Sequence, residues 1–101
     1  MENKKYGEYY GELVNISSVE DLGFELSYFS LEESRGLVES LYSFGVIDIY
    51  FDVNKEENYS DTLFFETSDK TDYKGLMIFL VDFRPHEFSE ESNNCFRAWF
   101  D

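Results

Sequence analysis

Three places in the sequence combine residue types that could do chemistry. His86 is the only histidine and Cys95 the only cysteine, nine positions apart. A Cys–His nucleophile pair depends on approach in space rather than in sequence. Cys95 opens the apolar stretch 95–100 and reads as a small core residue. Zinc would need three or four good ligands, which one His and one Cys do not supply. Asp52-Val53-Asn54-Lys55-Glu56-Glu57-Asn58 begins like a calcium loop. It puts Glu57 where the sharp turn needs Gly, and Leu63 where a bidentate Glu is required. Asp61 with Asp72-Tyr73-Lys74 has an acid, acid-x-Lys pattern, in which carboxylates hold Mg²⁺ and the lysine assists an attacking water. A chain of net charge -14 would repel the polyanionic substrate of such a site. No phosphate-cradling glycine loop and no Gly-x-Ser-x-Gly elbow is present. The sequence therefore predicts a protein that is not an enzyme, with no catalytic centre, metal or cofactor.

The charge is the more informative feature. The chain has 101 residues, of which 22 are acidic and 8 basic. Alone, that imbalance would suit a disordered acidic tail. The 11 Phe, 8 Tyr and 1 Trp oppose this, because disordered segments are poor in aromatics. A single acidic domain over residues 1–101 is expected, since a chain of this length leaves no room for two cores. The negative surface predicts no direct nucleic-acid binding, because phosphate affinity comes mostly from Lys and Arg. It also predicts no docking on anionic membranes. It favours a basic partner instead. No apolar run reaches the length of a transmembrane helix, and Met1-Glu2-Asn3-Lys4-Lys5-Tyr6 lacks the apolar core of a signal peptide. With a lone cysteine, the expectation is the cytoplasm of a bacterial host cell.

The elements follow from periodicity and capping. Residues 1–7 are polar and expected to fray. Glu8–Ile16 suits a strand, Ser18–Asp21 a capped helical turn, and Phe24–Tyr28 a half-buried strand. Ser30 and Glu33 form a capping box, and Leu37, Val38, Leu41 and Phe44 form an apolar stripe. Gly45 stands where a left-handed cap belongs, so a helix is predicted over Leu31–Phe44. Gly36 weakens it by about 1 kcal/mol relative to Ala and suggests close packing on a sheet. The period then changes to two. Ile47, Ile49, Phe51 and Val53 face one way, and Val46, Asp48, Tyr50 and Asp52 the other. Asn54–Asp61 reads as a polar connection, Thr62–Thr67 as a strand and Asp69–Gly75 as a turn. The nearly continuous apolar run Leu76–Phe83 suggests a central strand. Arg84–Asn94 reads as an acidic loop and Cys95–Phe100 as a last strand. The predicted fold is α+β: one main helix, about 31–44, on a four- to six-stranded antiparallel sheet ending in a meander.

One helix covers one sheet face. With strand parities aligned, the second face would carry Asp48, Tyr50, Asp52, Phe64, Glu66, Ile78, Asp82 and Trp99. Either a loop, the N-terminal segment or a second subunit covers these aromatics, or the face recognises a partner through steering carboxylates and aromatic anchors. Asp48 and Asp52 would lie about 13–14 Å apart at 3.3–3.4 Å per residue. That matches about four base-pair steps of duplex phosphate spacing. The candidate partner-binding residues are Asp48, Tyr50, Asp52, Glu66, Asp82 and Trp99, with the loop acids Glu56, Glu57, Glu87, Glu90 and Glu91. The favoured function is a nucleic-acid mimic that inhibits a basic nucleic-acid-binding protein, as phage anti-CRISPR and antirestriction proteins do. The alternative is an immunity protein or antitoxin against a basic nuclease toxin. A third reading is an accessory or structural subunit whose second sheet face makes a homodimer.

Overall fold

The computed structural model describes residues 11–100. The expected fraying of residues 1–7, and the Glu8–Tyr10 start of the first predicted strand, lie outside them. Among the described residues two helices pack on a six-stranded sheet, so the α+β class and the main helix are as the sequence predicts. The strands are β1 (Glu12–Asn15), β2 (Glu25–Leu26), β3 (Asp48–Asn54), β4 (Tyr59–Glu66), β5 (Glu87–Ser92) and β6 (Cys95–Trp99). The helices are α1 (Leu31–Ser43) and α2 (Tyr73–Phe83), and a 3-10 turn spans Val19–Asp21. The sheet order is β1-β3-β4-β6-β5 with antiparallel neighbours, and the two-residue β2 lies parallel to the start of β4.

Helix α1 forms for the reasons legible in its sequence. The Glu33 N–H donates to Ser30 Oγ at 3.1 Å, and the Ser30 N–H donates to Glu33 Oε1 at 3.0 Å. Two otherwise orphaned donors of the first turn are thereby satisfied. Leu37, Val38 and Leu41 are fully buried, and Gly45 has φ 95° just past the end. Ser34 joins the helix to β2: its Oγ accepts from the Leu26 N–H at 3.0 Å and donates to the Ser30 carbonyl at 2.8 Å. Gly36 is a correction. It faces solvent, and a methyl group there would meet open space, so close packing does not explain it.

The capping box carries a charge-dependent contribution. The Ser30 N–H holds the Glu33 carboxyl below its ordinary pKa. A folded-state pKa below the unfolded one stabilises above the unfolded value, and the effect disappears as pH falls through the folded value. We expect Glu33→Ala to lower the melting temperature at pH 7. The gap from the parent protein should narrow as pH falls through the carboxylate range, followed by circular dichroism; a pH-independent gap would refute the linkage.

The apolar run 76–83 is a helix, not a strand. A short buried run cannot be assigned by periodicity alone, because both kinds of element produce it. The start signal is Asp72, whose Oδ1 accepts from the Gly75 N–H at 3.1 Å. The stop is Arg84 in the left-handed conformation. The helix thus begins within the predicted Asp69–Gly75 turn. Leu76 and Leu80 join the same core as Leu37, Val38 and Leu41, so both helices cover one sheet face. The predicted acidic loop Arg84–Asn94 contains β5, which forms a hairpin with β6 through Asn93 and the left-handed Asn94. The meander is corrected accordingly: β4 pairs with β6 and β5 lies outside it. Charged residues suit an outer strand, since they discourage pairing with another chain. Strand boundaries also move. The strand predicted over Phe24–Tyr28 is only Glu25–Leu26, ended by Ser27 at φ 52°. The strand predicted over Thr62–Thr67 begins earlier, at Tyr59.

Alternation holds along β3, where Ile49, Phe51 and Val53 enter the core. It fails before the strand begins. The Val46 N–H donates to the Leu41 carbonyl as part of the helix ending, so Val46 is buried and Ile47 is 50% exposed. Phe51 lies at the centre of the main core, edge-on to Phe24 at 5.4 Å. Among the described residues no helix is long and apolar enough to cross a membrane.

Candidate functional site

The second sheet face is defined by register. Asp48 pairs with Glu66, Tyr50 with Phe64, Asp52 with Thr62, and Thr62 with Trp99. The structure therefore gathers Asp48, Tyr50, Asp52, Phe64, Glu66 and Trp99 on one face, as parity predicts. Ile78 and Asp82 are corrected: they belong to α2, which packs on the other face. The face is not a bare platform either. Phe64 and Cys95 are buried in a small cluster with Leu13 and Tyr50, and Asp48, Tyr50, Glu66 and Trp99 are half-buried.

Several candidate carboxylates have structural roles. Asp52 is 9% exposed and its Oδ1 accepts from the Gly11 N–H at 2.6 Å. Gly11 lies so close to the Val53 carbonyl and the Asp52 carboxylate that a Cβ has no space there. Asp52 thus holds the start of β1 against β3. Glu87 pairs with Arg97 of β6 at 3.3 Å. Glu90 Oε2 accepts from the Asn94 N–H at 3.0 Å and closes the β5–β6 turn. Glu91 accepts from the Ser89 hydroxyl. The chemical candidates do not assemble. Cys95 is buried at one end of β6, whereas the His86 ring stands edge-on to Trp99 at 4.9 Å. Four residues of strand, about 13 Å, separate Trp99 from Cys95. Asp61 and Asp72 lie at opposite ends of the sheet. The Asp72 N–H donates to the Phe44 carbonyl, beside the Glu66 end of β4. Among the described residues no group of three His, Cys, Asp or Glu could hold a metal ion.

A concave acidic feature lies at the other end of β3 and β4. A cleft of about 630 Å³ is lined there by Glu12, Asp52, Glu56, Glu57 and Asp61, with Lys55 and Tyr59. Its shape comes from two backbone devices. Asn54 caps the β3–β4 turn: its Oδ1 accepts from the N–H groups of Glu56 at 3.0 Å and Glu57 at 3.2 Å, and its amide donates to Glu57 Oε1 at 3.3 Å. Such an Asx turn fixes where the two glutamates start. Asn58, left-handed at φ 52°, reverses the chain. The second device is a bulge. Asp52 pairs with Thr62 but Val53 pairs with Ser60, so Asp61 is an extra residue on β4. A bulge re-aims side chains and increases twist. Here it brings Asp61 to the cleft and turns Ser60 into the core, 1% exposed. The Thr62 hydroxyl donates to Asp61 Oδ1 at 2.8 Å and holds that carboxylate in place. Glu25 of β2 runs beside Tyr59 and adds a further negative charge at this end.

Of the predicted residues, the cleft unites Asp52, Glu56 and Glu57. Sequence reasoning did not select Glu12 or Tyr59, and it weighed Asp61 for metal chemistry. The Asn54–Glu57 turn chemistry could have pointed to the cleft; the bulge has no sequence signal. Lys55, the cation among the described lining residues, is weakly held. Lys55 Nζ lies 2.9 Å from Glu12, with both side chains more than 60% exposed, a class of pair that contributes little. Comparison with known proteins adds no relative: no family model, curated protein or solved structure matches the chain.

Proposed function

We propose that this protein is a non-enzymatic, strongly acidic inhibitor that binds the basic nucleic-acid-binding surface of a target protein, in the manner of a phage anti-defence protein. The observation that carries the reading is the cleft, where among the described residues Glu12, Asp52, Glu56, Glu57 and Asp61 surround Lys55. Asp61, held by the Thr62 hydroxyl, and Glu57, held by the Asn54 amide, are carboxylates already partly ordered, and such groups can replace phosphates opposite Arg and Lys at a reduced ordering cost. An arginine fork reaching the cleft competes with Lys55 for Glu12, and Tyr59 at the rim, 38% exposed, offers a ring for contact. The net charge of -14 steers the encounter from a distance.

The compactness of the cleft favours a second reading, an immunity protein against one cognate basic nuclease toxin. One experiment separates the two. The protein is immobilised and challenged with lysate of a bacterial host at low and high salt, with and without competing duplex DNA. The mimic retains basic nucleic-acid-binding proteins that duplex displaces, and retention falls steeply with salt because exposed charges are screened beyond about 8 Å at physiological ionic strength. An immunity protein retains one nuclease whose release by duplex is incomplete. Retention of only neutral or acidic companions, or affinity indifferent to salt, would remove both.

A further inference from the structure

Helix α2 is apolar almost all round, yet it lies at the surface. Its inward positions Leu76 and Leu80 are buried, whereas outward Ile78 is 61% and Val81 70% exposed. A helix that is hydrophobic on every side is normally buried on every side. We propose that the outward stripe Lys74, Ile78, Val81 and Asp82 packs against the same stripe of a second copy of this chain, antiparallel about a two-fold axis near Ile78.

Charge complementarity selects this occupant. Lys74 and Asp82 sit four residues before and after Ile78, about 6 Å along the axis on either side. A two-fold axis at Ile78 places Lys74 of each copy beside Asp82 of the other, twice, with Ile78 against its counterpart between them. A two-fold interface requires this self-complementarity. The stripe is also locally neutral, with one Lys against one Asp, on a chain of net charge -14. Two copies can therefore meet here with each stripe carboxylate beside a lysine, whereas α1 carries Glu32, Glu33 and Glu39 against Arg35. The inference is independent of the cleft, and it moves the homodimer surface from the sheet face to α2. An 11-residue helix is about 16 Å long, so the contact is smaller than a standard interface and the dimer is weak.

The test is sedimentation equilibrium on the full chain over about a hundredfold concentration range, at low and at high salt. The expected result is a monomer–dimer equilibrium whose association constant rises about tenfold or more with salt, because the repulsion between two copies of net charge -14 outweighs the two Lys74–Asp82 attractions that salt also screens. This is opposite in sign to partner binding at the cleft. Ile78→Ser with Val81→Ser, both at exposed positions, should abolish the dimer with circular dichroism unchanged. Lys74→Asp alone should also abolish it at physiological salt, and Lys74→Asp combined with Asp82→Lys should restore it. A single monomer mass under all conditions, a dimer that survives the serine pair, or a double swap that behaves like the single one would each overturn the proposal. None of these outcomes bears on the cleft.

Discussion

Replacing Glu56, Glu57 and Asp61 together by lysine is expected to slow association with the captured basic partner by about 10- to 10³-fold, the range over which electrostatic steering acts. These three suit the test because each lies at the cleft with at most partial burial. The swap changes the local charge by roughly six units within a patch comparable to the screening length, about 8 Å at physiological salt. Dissociation should change less, because exposed charges act mainly on the encounter. Stopped-flow or surface-based kinetics would measure both rates, and circular dichroism would verify the fold. An unchanged association rate would show that the partner meets another surface, and reversal of Glu90 and Glu91 would then be the next probe. Asp52→Lys is unsuitable, because it would set a buried lysine against the Gly11 backbone and confuse folding with binding.

Phe51→Ala is expected to cost about 3–5 kcal/mol, the usual range for a buried aromatic truncated to Ala. Domains of this size have about 5–15 kcal/mol in total, so much of the stability would go. The melting temperature should fall by about 4–8 °C per kcal/mol. Phe51 has no exposed surface, contacts Phe24 edge-on and sits on a central strand between β1 and β4, so little can relax into the void. Phe88→Ala on the outer strand should cost less, since Phe88 is 37% exposed although it stacks on Phe96 at 5.6 Å. Urea titration of both variants measures the difference. If the two melt alike, the centre of the core is misplaced.

The sequence alone determined the elements whose signals are local. Ser30 and Glu33 identify the start of α1 because both partners of a capping box lie within one turn. Alternation along 48–53 separates core from second face because the pleat has period two. The acidic excess, which argues for a basic partner, is visible in composition. The tertiary structure decided what depends on distant neighbours. A run such as 76–83 is apolar whether it is a central strand or a helix on a sheet, and only the space beside α1 resolved it. The bulge at Asp61 is defined by how β4 pairs with β3, and no residue within β4 announces it. Asp52 became a structural carboxylate because Gly11, 41 positions away, approaches it. Composition sets the amount of charge, while the meeting of Glu12, Asp52, Glu56, Glu57 and Asp61 at one cleft follows from strand register, a relation between segments that no single segment encodes.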